Sequence, residues 1–139
     1  MKTAIASLCT AALLVLGAIA PAAFAADRQV VLQVSDNDEG KWNLALNNVR
    51  NLQAELGKDK IDIEIVVYGP GISMLKAEST VGNRVADAAA SGVKVVACEN
   101  TMKGQKLVKD DMLPTIDYVK VGVIELMDRQ KQGWAYIRP

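Results

Sequence analysis

The chain has 139 residues, 16 basic and 16 acidic side chains, and no histidine. Lysines and acids are interspersed, which argues against a nucleic-acid-binding protein because such proteins carry a basic face. The absence of histidine excludes Cys–His and Ser–His catalytic pairs. With only two cysteines as well, zinc and copper centres are disfavoured, and we expect no cofactor.

The first 25 residues have the pattern of a cleavable export signal. Lys2 gives a positive start, residues 11–20 are apolar, and Ala23-Phe24-Ala25 fits a small-x-small cleavage site. The sequence therefore predicts a signal peptide over 1–25, a periplasmic protein, and a single mature domain over 26–139. The later apolar runs are too short for a transmembrane helix, so we expect no membrane attachment after cleavage.

Strand-like and helix-like runs alternate through the predicted domain. The predicted strands are 29–34, 61–68, 93–98, 118–119 and 134–137. The predicted helices are 41–56, 72–77, 81–91, one capped by Asn100 or Thr101 that runs to Leu107, and 121–132, with a further turn over 110–113. This alternation predicts an α/β fold, namely a flavodoxin-like three-layer sandwich with a mostly parallel sheet of about five strands.

The second predicted strand begins with an alternating pattern. Asp62 and Glu64 stand between isoleucines before the run becomes fully apolar. Alternation of this kind indicates a strand with one face in water. We therefore expect an edge strand whose acidic side chains are solvated.

In parallel sheets, ligands and catalytic groups lie beyond the carboxyl ends of the strands. Three segments should therefore meet: 35–38, 68–71 and 98–101. The acidic turn 35–39 is interpreted as the N-terminus of a helix, since it lacks the glutamate of a calcium loop and the glycine-rich backbone of a phosphate cradle. Trp42 and Trp134 are interpreted as core or interface anchors.

Cys98 is the residue on which the functional interpretation depends. Cys9 lies in the predicted signal peptide, so Cys98 becomes the single thiol of the mature chain. It ends a buried strand just before a helix N-terminus, where backbone N–H groups lower a thiol pKa, and Lys103 and Lys106 could add to this effect. The alternative is a structural cysteine, because free cysteine is among the most buried residue types.

Three stretches together resemble the DsrE/DsrF-like family. They are residues 66–72 (VVYGPGI), 92–102 (GVKVVACENTM) and 133–139 (GWAYIRP), and the resemblance covers essentially the whole predicted domain. It implies a flavodoxin-like domain that assembles into trimers or hexamers. It also implies transfer of sulfane sulfur as a persulfide on Cys98.

Three functions follow as hypotheses. The first is a sulfur carrier or sulfurtransferase-like protein that uses Cys98, exchanges sulfur with a donor or acceptor protein, and binds its substrate through Gly69, Gly71, Asn100 and Thr101. The second is a non-catalytic binding or assembly module in which Cys98 is merely buried. The third is a redox sensor that forms a disulfide between subunits.

Overall fold

The computed structural model describes residues 28–139, so the predicted signal peptide, Cys9 and the predicted cleavage point lie outside the described residues. The strands in this range are β1 (Arg28–Val34), β2 (Ile61–Val67), β3 (Lys94–Cys98), β4 (Asp117–Val119) and β5 (Ala135–Ile137). The α-helices are α1 (Glu39–Leu56), α2 (Gly82–Ala90), α3 (Glu99–Gly104) and α4 (Gly122–Lys131). Short 3₁₀ segments occupy Lys58–Lys60, Gly69–Leu75 and Lys109–Asp111.

The strands form one sheet in the order β4-β3-β2-β1-β5, and every pair is parallel. The predicted α/β fold with about five parallel strands is therefore confirmed. The chain moves outward from β1 to β4 and then returns, so that β5 lies on the other side of β1. Because all strands run the same way, their carboxyl ends share one edge of the sheet.

The two faces of the sheet are covered by different helices. One face packs against α1, α2 and the 3₁₀ segment Gly69–Leu75, and it holds the larger apolar cluster. Trp42 of α1 is buried there, as expected of a core anchor. The other face packs against α4 through a smaller cluster, with Trp134 partly buried at its margin. Among residues 28–139, no helix combines the length and apolar character needed to cross a bilayer.

The prediction that the second strand lies at an edge was wrong. β2 lies between β3 and β1, in the middle of the sheet. Asp62 is exposed near the start of the strand, but Glu64 is fully buried (0% exposed). The carboxylate of Glu64 tolerates burial because Lys94 and Arg129 lie beside it. The alternation therefore marked one exposed acid, Asp62, and one buried acid, Glu64, that is paired with Lys94 and Arg129.

Two local predictions also differed from the structure. Residues 72–77 were expected to form a short helix, but the chain forms a 3₁₀ segment over Gly69–Leu75 that buries Met74 and Leu75 as expected. Asn100 or Thr101 was expected to cap the next helix, but α3 begins at Glu99 and is capped by Cys98. The backbone of Cys98 is extended, and its sulfur accepts the N–H of Thr101, as a serine oxygen does at other N-caps.

Candidate functional site

The three segments expected at the carboxyl edge of the sheet do lie together. The N–H of Tyr68 donates to the carbonyl of Val34 (3.1 Å), and the N–H of Gly71 donates to the carbonyl of Ser35 (3.0 Å). The N–H of Gly69 donates to Oγ1 of Thr101 (3.0 Å). The turn after β2 is therefore bonded to the end of β1 on one side and to the start of α3 on the other.

Gly69 and Gly71 are required by the backbone of this turn. Gly69 has a φ of +57°, a conformation that L-residues with side chains rarely adopt. A Cβ on Gly71 would lie 2.8 Å from the carbonyl oxygen of Val34. The close approach at Gly71 is thus to the chain's own β1, and the N–H of Gly69 is already bonded to Thr101.

Asn100 and Thr101 hold different places at the start of α3. The hydroxyl oxygen of Thr101 accepts the N–H of Gly69, and the backbone N–H of Thr101 donates to Sγ of Cys98. Asn100 is exposed, and its N–H donates to the carbonyl of Lys120 (3.1 Å). Thr101 therefore lies against the thiol, whereas the side chain of Asn100 faces the surface nearby.

The thiol of Cys98 lies between the N-termini of two helices. Its Sγ accepts the N–H of Gly122, the first residue of α4, at 3.3 Å. It also accepts the N–H of Thr101 in α3 at 3.5 Å, and it lies 4.0 Å from the carbonyl oxygen of Lys120. Cys98 is only 3% exposed. The result is a buried sulfur that receives backbone N–H groups from two directions.

This environment favours the thiolate form of Cys98. Burial raises the pKa of the thiol, but the Thr101 side chain and the N–H groups of Gly122, Thr101 and Asn100 lower it, and the pKa ends below its ordinary value. Hydrogen bonds are the cause, because N–H and O–H donors bind an anionic sulfur more strongly than a neutral one. Lys103 and Lys106 are both exposed and are not among the main causes.

Gly122 is a site residue that the sequence interpretation missed. A Cβ at this position would lie 3.2 Å from Cβ of Tyr68 and 3.3 Å from Cγ1 of Val66, so the absence of a side chain lets α4 approach the sheet. β4 pairs with β3 directly beside Cys98, with Val119 opposite it in the register. Catalytic groups of a parallel sheet lie beyond the carboxyl ends of its strands. Applied to the short strand β4 as well, this rule would have placed the residues that follow β4 in the predicted site.

The acidic turn after β1 is structural, as its interpretation as a helix N-terminus expected. Oδ1 of Asp38 accepts the N–H of Lys41 (3.0 Å) and caps α1. Asp36 forms ion pairs with Lys41 (3.0 Å) and Arg138 (3.1 Å), and these partners lower its pKa. Within residues 28–139, no three His, Cys, Asp or Glu side chains are grouped so as to hold a metal ion.

Comparison with known proteins identifies the family. The model of the DsrE/DsrF-like family matches residues 28–139, and the chain belongs to this family. Membership supports a sulfur-relay type of role in general. No curated protein matches the chain.

Solved structures of similar proteins agree with the fold. A protein of unknown function from Methanobacterium thermoautotrophicum is 38% identical, with a TM-score of 0.77, and the match covers 81% of this chain and 100% of that one. A conserved protein of unknown function from Bacteroides thetaiotaomicron is 18% identical (TM-score 0.65; 81% and 95% covered). The ychN protein of E. coli is 13% identical (TM-score 0.61; 81% and 99% covered), and these last two matches show the fold alone.

Proposed function

We propose that Cys98 carries sulfane sulfur as a persulfide and passes it between a donor and an acceptor protein. The observation that supports this most directly is the thiol itself, which accepts N–H groups from Gly122 and Thr101 and has a lowered pKa. A thiolate is the nucleophile in sulfur exchange. Membership of the DsrE/DsrF-like family supports the same kind of chemistry.

The transfer step is a nucleophilic exchange at sulfur. The Cys98 thiolate attacks the outer sulfur of a donor persulfide, a new S–S bond forms, and the donor's own S–S bond breaks. The donor leaves as a thiolate, and its former persulfide proton stays with the sulfur that is transferred. Delivery is the reverse reaction with an acceptor thiolate. No external oxidant, metal or base is needed, because the sulfane sulfur moves without net oxidation of the system.

The neighbouring residues have distinct parts in this proposal. Gly122 and Thr101 supply the donors that lower the pKa of Cys98, and Gly69 holds Thr101 in place through its N–H. Gly71 fixes the turn against β1. Asn100, exposed beside the thiol, is the side chain we propose for contact with the incoming sulfur donor.

A second candidate function is a non-catalytic assembly module. Two observations favour it: Cys98 is only 3% exposed, and the outer side of α4 carries exposed apolar side chains (Val123, Ile124 and Met127). These side chains also support the proposal that the chain forms a homo-oligomer, a trimer or a hexamer. Size-exclusion chromatography with light scattering tests this assembly, and a monomer at all concentrations would contradict it.

Export to the periplasm is part of the same proposal and is supported by the signal-like pattern of residues 1–25. Mass spectrometry of the protein recovered from the periplasm should give an N-terminus at Ala26 or Asp27. Retention of Met1 would contradict the proposed processing.

Mass spectrometry also tests the sulfur-carrier function. After exposure to polysulfide or thiosulfate, native protein should gain the mass of one sulfur atom at Cys98, and Cys98→Ser protein should gain none at that position. Cyanide should remove the added sulfur as thiocyanate. An unmodified thiol with every donor, together with alkylation of Cys98 only after unfolding, would favour the assembly module instead.

A further inference from the structure

The helix that supplies the Gly122 N–H is held to the sheet by few apolar contacts. Of the ten residues of α4, only Gly122 and Leu126 are buried. Leu126 packs on Val31, Val66 and Val96, which complete the small apolar cluster of this face. Apolar packing therefore holds α4 at Gly122 and Leu126 and leaves its C-terminal half to other contacts.

Those other contacts are an ion-pair cluster around the buried carboxylate of Glu64, near the C-terminal end of the helix. The Glu64 carboxylate, fully buried in β2, lies 2.5 Å from Nε of Arg129 and 3.4 Å from Nζ of Lys94. Arg129 also contacts Glu125 (3.0 Å) and lies over the ring of Trp134. The contacts to Glu64 are ionic, because neither of its oxygens accepts a hydrogen bond of regular geometry.

Stability alone does not explain this cluster. Burial raises the pKa of the Glu64 carboxyl, and the positive charges of Lys94 and Arg129 lower it by less. Ionising Glu64 in the folded protein therefore costs free energy. Replacing a buried ion pair with apolar side chains is often neutral or stabilising. A buried carboxylate that is paired with cations from two other elements does, however, restrict how those elements can be arranged, and here Glu64 of β2 is paired with Lys94 of β3 and Arg129 of α4.

We propose that Glu64 and Arg129 are positioning residues for Cys98: their ion pair fixes α4 along the sheet so that the Gly122 N–H reaches the sulfur. Arg129 stands seven positions after Gly122 in α4, which is about 10 Å along a helix. A rigid helix of this length transmits the position of one end to the other. This inference rests on the proposed function, since it concerns how the reactive sulfur is kept anionic.

Substitution of Glu64 separates positioning from simple charge effects. Glu64→Gln removes a negative charge and leaves Lys94 and Arg129 with Glu125 as their remaining anionic partner, so a purely through-space effect would lower the pKa of Cys98. Loss of positioning weakens the Gly122 hydrogen bond and raises that pKa. We expect the rise, with about three- to tenfold less thiolate at a fixed pH below the wild-type midpoint.

The measurement is the ultraviolet absorbance of the thiolate against pH. Each protein is compared with its own Cys98→Ser counterpart, so that the absorbance of the tyrosines cancels, together with that of Cys9 where the full chain is used. Asp62→Asn is the matched control, because it removes a carboxylate from the same strand at an exposed position. We expect the control to titrate like the wild type.

Two more variants keep the test decisive. Arg129→Lys preserves the positive charge but cannot reproduce the guanidinium contacts with Glu64 and Glu125, so it should also raise the pKa of Cys98. If Glu64→Gln does not fold, Arg129→Lys takes its place in the test. Gly122→Ala displaces the N-terminus of α4 directly. In the double variant with Glu64→Gln, the second substitution should add little, because both act through the same hydrogen bond.

The outcomes distinguish this inference from the sulfur-carrier function. The positioning role would be overturned if the titration midpoint of Cys98 falls or stays unchanged in Glu64→Gln and Arg129→Lys. It would also be overturned if the effect of Glu64→Gln on that midpoint adds fully to the effect of Gly122→Ala. Either result would stand even if wild-type protein takes up sulfur. A raised midpoint in both variants supports positioning even if no sulfur donor modifies Cys98, in which case only the sulfur-carrier function fails.

Discussion

The two faces of the sheet are built for different purposes. The face under α1 and α2 is an almost entirely apolar core, with fully buried side chains such as Leu32, Ile65 and Leu75. The face under α4 has a small apolar cluster and also buries Gln33, Glu64 and Cys98. Alternate residues of the same strands supply both faces, since successive side chains of a strand point to opposite sides. Most of the apolar burial that stabilises the fold therefore lies on one face, and the buried polar side chains lie on the other.

Ile65 and Val66 give the sharpest test of this division, because they are neighbours in β2 that point to opposite faces and are both fully buried. Ile65→Ala should lower the free energy of unfolding by about 2–5 kcal/mol, since it leaves a cavity in the larger core. It should leave the titration of Cys98 unchanged. Denaturant unfolding and thiolate absorbance measure the two effects.

Val66→Ala should change the titration of Cys98 and should lower the stability less than Ile65→Ala does. It removes less apolar surface, so the loss of stability should be smaller than for Ile65→Ala. Cγ1 of Val66 packs near Gly122, however, and its loss should let the N-terminus of α4 shift and change the pKa of Cys98. Equal effects of the two variants on the thiol would contradict the division between the faces.

Gly71 tests whether the turn beside the site is as tightly packed as the core. A Cβ at Gly71 would lie 2.8 Å from a carbonyl oxygen of β1, which cannot move away without disturbing the sheet. We expect Gly71→Ala to destabilise the protein by about 1–3 kcal/mol. Gly104→Ala is the control, because nothing lies within 4 Å of its added Cβ. Equal thermal stability of the two variants would show that the turn relaxes freely.

The parts of the site that sequence reasoning found follow from one rule. Parallel strands end at a common edge, so the segments after β1, β2 and β3 had to meet, and Cys98 had to lie among them. The chain-order alternation of strands and helices was enough to apply that rule. The order of strands in the sheet was not needed.

What the sequence could not give depended on contacts between distant segments. Gly122 follows a strand of three residues, and its role depends on how closely α4 approaches Tyr68. Glu64 resembled a solvated residue because its partners, Lys94 and Arg129, are contributed by β3 and α4. Local alternation cannot distinguish a wet acid from a buried acid whose counterions come from elsewhere in the chain.

The smallest expected effect is a pH dependence of stability that arises from Cys98. Its folded pKa lies below the ordinary value of 9.0, so the folded protein binds the thiol proton less tightly than the unfolded chain. The stabilisation is fully present above the unfolded pKa and is lost as the pH falls through the folded pKa. The free energy of unfolding of wild type relative to Cys98→Ser should therefore rise with pH across this window.

Glu64, whose pKa is raised, contributes the opposite slope, with stability lost as the pH rises through its folded pKa. Denaturant unfolding at a series of pH values measures both slopes, with Cys98→Ser as the reference for Cys98 and Glu64→Gln as the reference for Glu64. A flat difference between wild type and Cys98→Ser would contradict an activated thiol.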